Sequence, residues 1–258
     1  MDLAHGASFY PPATVRPATI DQMLDADVVV VCADRGGPPG KSRLDLLAKN
    51  ASVIRDIGEQ LTGARGVIVM VSNPVDVLTH IVTEASGLPA ERVIGTGTML
   101  DTARLRHAVG RIIEVDPHSI HAYVIGEHGD SEVVLWSSAR VGDVPLRDWN
   151  GWQHQREEIV ADNVRRAGQE VIRRKGATNH AIGMATADLL RCILRNERRV
   201  LTVSRVQNGV SGFRDVAMSL PTVVGVQGAL HVIDPEMSLS EREQLEHSAA
   251  VLRVASGQ

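Results

Sequence analysis

The pattern of apolar and polar residues divides the chain into two halves with different rhythms. In the first half, "DADVVVVCA", "GVIVMVSNP" and "RVIGTG" are too short and too uniformly apolar for helices, and they fit strands buried on both faces. The intervening segments "SRLDLLAKNASVIRDIGEQL" and "VDVLTHIVTEASG" have apolar residues at helical spacing and predict helices, the second ending at Gly87. This alternation predicts βαβ crossovers and a doubly wound parallel sheet.

The rhythm changes after about Thr98. "LDTARLRHAVGRII" predicts a helix, and "SIHAYVIGEHGD" predicts a strand that runs into a turn. A long charged helix over about 154–175 precedes another helix in "AIGMATADLLRCILRN". Two strand-like segments, "RVLTVSRV" and "DVAMSLPTVVG", then lead to a closing helix in "SEREQLEHSAAVLRVAS". The second half is therefore predicted to be a mixed α+β domain.

The opening segment lacks a feature that is usual in nucleotide-binding sheets of this kind. Such a sheet begins with a strand, a glycine-rich turn and a helix, and carries an acidic residue after its second strand. Residues 1–24 contain no G-x-G-x-x-G motif. We predict an α/β fold: an incomplete doubly wound, Rossmann-like parallel sheet in residues 1–97, with its first crossover missing, followed by a mixed α+β catalytic domain in residues 98–258.

Composition and charge exclude several classes of protein. The chain has 258 residues, a formal net charge of −4 and no basic run, so we expect no nucleic-acid partner. No apolar run approaches the ~18 residues of a membrane span, and "MDLAHGASFYPP" lacks the regions of a signal peptide. Cys32 and Cys192 stand in separate apolar segments and are predicted to be buried free thiols. We expect a cytoplasmic protein without a membrane partner or a metal.

Several polar residues stand where strands end and helices begin, which is where open α/β sheets bind ligands. His128 ends a strand in "VIGEHGDSE", Asn73 ends another in "VSNPVD", and Arg43 follows the loop "GGPPGKS". Asp101 and Arg104 are three residues apart, so they share a helix face. A histidine, a carboxylate and two arginines suit a small anionic carbonyl substrate, because arginine pairs with carboxylates and histidine transfers protons near neutral pH.

Spacing alone leaves an ordinary structural role open for each of these residues. His128 could be a turn or core histidine, and the Asp101–Arg104 pair could be a surface ion pair worth under ~1 kcal/mol. Asn73 before Pro74 is a common turn pair. Arg43 could be a solvated residue at a helix start.

Four motifs together resemble the L-lactate/malate dehydrogenase family, and most of all its bacterial lactate-type members. They are "SNPVD", "LDTARLR", "HAYVIGEHGDS" and "KGATNHAIGMA", in this order, and the similarity covers nearly the whole chain from "MDLAHG" onward. The resemblance implies hydride transfer between NADH and a 2-oxo acid, giving an L-2-hydroxy acid. NAD is the implied cofactor, and small 2-oxo and 2-hydroxy acids are the implied substrates.

The resemblance also implies roles for the matched catalytic residues. His128 would donate and accept the proton, and Asp101, rather than the neighbouring Glu127, would hold its imidazole and favour the imidazolium. Arg104 would pair with the substrate carboxylate. Arg43, on a loop that closes over the site and excludes water, would polarise the reacting carbonyl.

Further matched positions concern the substrate side chain and the cofactor. Asn73 would hydrogen-bond near the carbonyl and the nicotinamide, and Thr178 would flank the substrate side chain. Asp34 replaces a glycine that ends a strand near the cofactor, and a carboxylate that faced the diphosphate would weaken NAD binding. The implied cofactor-side positions are Ala33, Asp34, Val71, Ser72, Asn73 and Thr96.

The choice between lactate and malate depends on the position six residues before the loop arginine, which is Gly37 here. Glutamine stands there in lactate-type members of the family and arginine in malate-type members. Glycine supplies no charge for a second carboxylate and leaves room for a side chain larger than methyl. Arg35 is near enough in sequence to keep malate open, whereas Thr178 fits the lactate-type pattern. We expect a lactate-type enzyme, with a malate-type enzyme as the alternative.

Two further residues match an effector site of the family. Arg106 and His121 stand where allosteric bacterial members bind fructose 1,6-bisphosphate across a subunit interface, and cationic groups from paired subunits suit a bisphosphate. The alternative is an exposed arginine and an ordinary strand histidine. The resemblance implies a homo-oligomer, either a tetramer or a dimer.

The chain departs from the family at its beginning. It lacks the opening strand, the glycine-rich phosphate loop and the acidic residue for the adenosine ribose, and "MDLAHG" resembles a segment that is internal in other members. We favour a truncated or mis-started sequence over a degenerate paralogue. The alternatives to an active enzyme are a non-catalytic subunit that binds partners through its oligomer surfaces, and an unstable fragment.

Overall fold

The computed structural model describes residues 5–6, 13–33 and 43–257, with the side chains of residues 43–49 outside that description. The predicted alternation of the first half is present. Its strands are β1 (Val28–Val31), β2 (Val67–Met70) and β3 (Val93–Gly95), and its helices are α1 (Arg43–Gln60) and α2 (Val75–Ser86). Helix α2 ends as predicted at Gly87, which adopts a left-handed conformation with φ 64°.

The second half contains four helices and eight strands within the described residues. The helices are α3 (Met99–Ile113), α4 (Arg156–Lys175), α5 (His180–Leu194) and α6 (Leu239–Ser256). The long strands are β9 (Arg199–Asn208), β10 (Arg214–Gly225) and β11 (Gly228–Val232). The short strands are β4 (Ile120–His121), β5 (Val124–Ile125), β6 (Val133–Val134), β7 (Arg140–Val141) and β8 (Val144–Pro145). The single strand predicted in "SIHAYVIGEHGD" is therefore two short strands, β4 and β5.

Strands β1, β2 and β3 pair in parallel, with β2 in the middle. All four residues of β2 are buried, as the uniformly apolar sequence predicts. One face of β2, with Ile68 and Met70, packs in the core cluster that includes α2, and the other face packs with Leu189 of α5. The strand ends of this parallel segment therefore share one edge of the sheet.

The sheet continues into the second half of the chain. Its order is β1-β2-β3-β9-β10-β11, and the last three strands are antiparallel hairpin neighbours. Strand β3 meets β9 at the pair Gly95 and Ser204. The strands from before and after residue 98 thus form one sheet, and the division of the chain into domains at that residue stays a prediction.

Strand β1 is the edge of this sheet within the described residues. Its Val30 is 37% exposed, and Cys32 just after it is exposed as well. The prediction that both thiols are buried is therefore wrong for Cys32 and correct for Cys192. The physical reason is the open side of β1, where an apolar pocket is lined by Ile20, Met23, Val29, Val30, Val31, Cys32, Ala33, Ile57 and Leu61.

From the sequence we expect neither a membrane-spanning helix nor a metal site. No helix in the described part of the chain is long and apolar enough to cross a membrane. Among the same residues, no cluster of three or more histidine, cysteine or acidic side chains could hold a metal ion.

The turn between β10 and β11 provides a test of the packing. Gly228 has φ 94°, and a Cβ atom there would lie 2.1 Å from the carbonyl oxygen of Glu91. Gly142 also has positive φ, 55°, but has open space around it. We expect Gly228→Ala to lower the free energy of unfolding by more than the ~1–2 kcal/mol that left-handed backbone alone costs, whereas Gly142→Ala should cost only that amount. Urea denaturation measures both, and equal losses would contradict the packing argument.

Candidate active site

His128 lies in the turn that follows β5, and this turn is fixed to two distant elements. Gly126, with φ 86°, exchanges two backbone hydrogen bonds of 2.9 Å with Ser219 of β10. The backbone N–H of Glu127 donates to Oγ of Ser248 in α6 at 2.8 Å. A Cβ atom on Gly126 would come within 2.7 Å of Ser248 Oγ, so glycine allows this close approach.

The side chain of His128 forms a couple with Asp101, which lies 27 residues earlier in α3. The ring Nδ1 is 2.5 Å from Asp101 Oδ2, and the other carboxylate oxygen accepts a 2.7 Å hydrogen bond from Arg104 Nη1. We assign Nδ1 as protonated, because Asp101 is an acceptor when ionised. No hydrogen bond within the described residues uses Nε2, so this nitrogen can face a substrate.

Two threonines of the α3 region hold that helix against β5. Thr98 Oγ1 donates to the carbonyl oxygen of Val124 at 2.6 Å, and Thr102 Oγ1 accepts from the N–H of Val124 at 3.0 Å. These hydrogen bonds are buried. They place Asp101, between the two threonines, next to the turn that carries His128.

Burial and charge act in opposite directions on His128. Burial lowers the pKa of the imidazole, but the hydrogen bond and charge of Asp101, with the charges of Asp76 and Glu132, outweigh burial and raise the pKa to about 9. The ring is therefore an imidazolium at neutral pH, able to donate a proton from Nε2.

The structure adds two buried carboxyls that the sequence analysis did not single out. Asp76, in the first turn of α2, is 2% exposed, and Glu132 is 4% exposed. Burial raises the pKa of Asp76 to about 6. Burial, followed by the charge of Asp101, raises the pKa of Glu132 to about 8. Asp76 ends the motif "SNPVD" and Glu132 ends the segment "VIGEHGDSE", but nothing in the spacing shows that they lie near the His128 ring.

Glu127 and Asp130 are the acidic residues next to His128 in the sequence. The carboxylate of Glu127 accepts hydrogen bonds from the N–H of Ser131, at 3.1 Å, and from its hydroxyl, at 2.5 Å. Asp130 is exposed. The carboxylate that contacts the imidazole is thus the one on α3, as the family resemblance implies.

The predicted cofactor-side residues lie at the carboxyl ends of the parallel strands. Ala33 follows β1, Val71 and Ser72 follow β2, and Thr96 follows β3. Ser72 Oγ donates to the carbonyl oxygen of Ala33 at 2.6 Å. The backbone N–H of Thr96 donates to the carbonyl oxygen of Met70 at 3.0 Å. Asn73 comes next after Ser72; it is exposed, and its carbonyl oxygen accepts from Asn50 Nδ2 at 3.5 Å.

Three other predicted positions lie wholly or in their side chains outside the described residues, and a fourth has no hydrogen bond to this group among them. Arg43 begins α1, but its side chain lies outside the described residues, as do Asp34 and Gly37 entirely. Thr178 is exposed between α4 and α5, and no hydrogen bond or ion pair of the described residues links it to His128. The predicted roles of these four residues stay predictions.

The two residues of the predicted effector site lie close together in the chain's fold. Arg106 Nε donates to the carbonyl oxygen of Ala122 at 3.0 Å, and its guanidinium lies 5.2 Å from the ring centre of Tyr123. Burial lowers the pKa of Arg106, while Tyr123 opposes that change. His121, next to Ala122, is exposed and pairs across strands with Arg140.

Fold and site together define an α/β protein with a hydrogen-bonded histidine–aspartate couple beside the carboxyl edge of a parallel sheet. Residues 1–95 match the model of the lactate/malate dehydrogenase NAD binding domain, and residues 98–256 match that of the lactate/malate dehydrogenase alpha/beta C-terminal domain. The chain therefore belongs to the NAD-binding lactate/malate dehydrogenase family, as its motifs predict.

Curated relatives and solved structures agree with this assignment. The chain is 44% identical to an L-lactate dehydrogenase of Bacillus caldolyticus, over 98% of this chain and 82% of the relative. It is 41% identical to an L-lactate dehydrogenase of Synechococcus sp., over 98% and 84%. A minor L-lactate dehydrogenase of Enterococcus mundtii, crystallised with ligands, superposes with a TM-score of 0.94 at 37% identity, over 99% of this chain and 84% of that one. The predicted α/β fold is thus confirmed.

NAD is the cofactor that the family match indicates. Ala33, Ser72 and Thr96 have small side chains and stand at the carboxyl ends of three neighbouring strands, which is where open sheets of this kind bind ligands, so these residues are compatible with such a cofactor.

The His128–Asp101 couple should stabilise the fold over a defined range of pH. The pKa of His128 is about 9 in the folded protein and 6.5 in its ordinary state. The stabilisation, on the order of 3 kcal/mol, is therefore fully present below pH 6.5 and is lost as the pH rises through about 9. We expect His128→Asn to reduce the free energy of unfolding more at pH 6 than at pH 10, as measured by urea denaturation.

The matched control is His118→Asn. His118 also contacts a carboxylate, with its Nδ1 2.7 Å from Asp116 Oδ1. Unlike the His128 side chain, however, that of His118 is 97% exposed to solvent. Its replacement should change stability by less than ~0.5 kcal/mol at both pH values. An equal loss at pH 6 and pH 10 for His128→Asn would contradict the pH dependence.

Proposed function

We propose that this chain is an oxidoreductase that interconverts a 2-oxo acid and an L-2-hydroxy acid with NAD, most closely in the manner of an L-lactate dehydrogenase. The observation that carries the proposal is the hydrogen-bonded couple of the half-buried His128 and the buried Asp101, with Arg104 on the second carboxylate oxygen of Asp101. A proton donor and a guanidinium are thereby held by one carboxylate, as a small carbonyl acid requires. The relatives named as L-lactate dehydrogenases support the lactate-type reaction.

The residues of the chain would act mainly on the carbonyl and carboxylate of the substrate. NAD, held by the residues at the strand ends, would supply or accept the hydride. His128 donates the Nε2 proton to the carbonyl oxygen during reduction and takes a proton from the hydroxyl during oxidation. Asp101 stabilises the imidazolium, Arg104 pairs with the substrate carboxylate, and Arg43 polarises the carbonyl from a closing loop. Asn73 hydrogen-bonds near the reacting carbon.

Substrate choice follows from the predicted specificity residues. Gly37 offers no positive charge to a second carboxylate, and Thr178 flanks the side chain of a lactate-type substrate. The proposed substrate is pyruvate or a longer 2-oxo acid, in the cytoplasmic metabolism of glycolysis. Oxaloacetate is the substrate of the alternative, malate-type enzyme.

The first experiment measures NADH oxidation by the purified chain with pyruvate, in the presence of fructose 1,6-bisphosphate. We expect turnover, and we expect His128→Asn to reduce kcat by at least ~100-fold, because proton transfer in the transition state is lost. His107→Asn is the control, since His107 is exposed on the same helix as Asp101. It should leave kcat unchanged.

The other outcomes separate the alternatives. Turnover that survives in His128→Asn would contradict the proposed mechanism. Faster reduction of oxaloacetate than of pyruvate would favour the malate-type enzyme. A cooperatively folded chain with no turnover, but which assembles with an active relative, would favour the non-catalytic subunit.

We also propose that the active form is a homo-oligomer, a tetramer or a dimer, and that fructose 1,6-bisphosphate binds at a subunit interface through Arg106 and His121. The support is the cationic surface at β4: His121 and Arg140 are exposed cross-strand partners, and the Arg106 guanidinium is bonded to the residue after His121. Phosphate groups pair well with such side chains.

The effector proposal predicts a selective loss of activation. We expect His121→Gln to raise the concentration of fructose 1,6-bisphosphate for half-maximal activation by roughly tenfold, the loss of one charge-assisted hydrogen bond. The KM for pyruvate without effector should not change. His118→Gln, an exposed histidine close in sequence, is the control and should leave activation unchanged. Unaltered activation in His121→Gln would contradict this assignment.

A further inference from the structure

Asp76 is a buried carboxylate to which none of the roles above has been assigned. It lies in the first turn of α2, three residues after Asn73, and is 2% exposed. Its Oδ2 accepts a 2.7 Å hydrogen bond from the backbone N–H of His128, 52 residues away. Burial raises the pKa of this carboxyl, and a side-chain hydrogen bond with Ser204 partly offsets that effect. A carboxylate is costly to bury even when it is hydrogen-bonded, so its presence calls for a physical reason.

The contact completes a set of three anchors on the turn that carries the ring. The consecutive N–H groups of Gly126, Glu127 and His128 donate to Ser219 of β10, Ser248 of α6 and Asp76 of α2 respectively. Asp76 is the charged acceptor of the three, and hydrogen bonds to charged groups are the stronger kind. Asp76 also lies on the helix, α2, that begins just after Asn73 at the end of β2.

Several ionisable groups surround the imidazole. Asp101 contacts the ring from α3. The charges of Asp76, on α2, and of Glu132, in the segment that follows the turn, also favour the protonated ring. The charge of Glu127 adds to the burial that raises the pKa of Asp76. The charges of Arg165 and Arg104 partly offset the burial that raises the pKa of Glu132. Asp76 differs from the other carboxyls because it holds the backbone of His128 as well as acting on its charge.

We propose that Asp76 is a positioning residue: its carboxylate ties the backbone of His128 to the first turn of α2, and so fixes the distance between the proton-transferring ring and the strand end that carries Asn73. Its negative charge also stabilises the imidazolium, in addition to that of Asp101. The consequence for turnover rests on the proposed function, whereas the effects on the His128 backbone and ring do not.

Two substitutions separate the two effects of Asp76. Asp76→Asn retains a side-chain oxygen that can accept from the His128 N–H but removes the charge. Asp76→Ala removes both. NMR of the chain without cofactor measures hydrogen exchange at the His128 N–H and the pKa of its ring, with His128→Asn used to assign the signals. Kinetics with pyruvate then measure kcat and KM separately.

We expect Asp76→Asn to keep the slow exchange of the His128 N–H, to lower the ring pKa, and to keep kcat within about threefold at pH 6. We expect Asp76→Ala to speed that exchange by at least ~10-fold and to reduce kcat by ~10–100-fold, because a misplaced catalytic group loses its alignment. KM should change less than kcat, since Arg104 is untouched. In the pH profile for pyruvate reduction, the alkaline limb should move to lower pH in both variants.

Asp116→Ala is the matched control. Asp116 also accepts a hydrogen bond from a histidine N–H, that of His118 at 2.8 Å, but it is exposed. Its loss should leave the exchange and pKa of His128 unchanged. The proposal is overturned if Asp76→Ala leaves both unchanged, or, should that variant not fold, if Asp76→Asn leaves the ring pKa unchanged. A chain without turnover would contradict the proposed function, and the two NMR measurements would still decide the role of Asp76.

Discussion

The interaction between His128 and Asp101 is the constraint on which the rest of the site depends, because both groups lie where burial penalises an isolated charge. Asp101 is 2% exposed, and its two oxygens meet one nitrogen of His128 and one of Arg104. Removing either cation would leave an incompletely compensated buried carboxylate. The couple therefore requires that α3 and the turn after β5 meet at a fixed distance, which the threonine hydrogen bonds to Val124 provide.

Buried carboxyl groups are concentrated around this couple. Asp76 and Glu132 add two buried carboxyls, and their raised pKa values show how strongly burial opposes their ionised forms. The charges of their ionised forms favour the protonated ring, which suits the proton donor of the proposed function.

Some features were predicted from the sequence, and others were missed for identifiable reasons. Strands β1, β2 and β3 were found because parallel strands buried on both faces are continuous apolar runs. The two-residue strands β6 to β8 are too short to show any periodicity, and β11 was not recognised. Cys32 was expected to be buried because it follows four valines, yet β1 is an edge strand, and an apolar run does not reveal how many neighbours its strand has.

The candidate site shows the same division. Local spacing placed Asp101 and Arg104 on one helix face, which the 2.7 Å contact between them confirms. The pairing of Asp101 with His128 was implied by the family motifs, whereas spacing alone left it open. By itself, the sequence determined the alternation of strands and helices, the types of reactive side chain and the family. Only the tertiary structure decided that Asp76 and Glu132 face the same imidazole, because contacts across 52 residues and across separate elements depend on packing that no local pattern encodes.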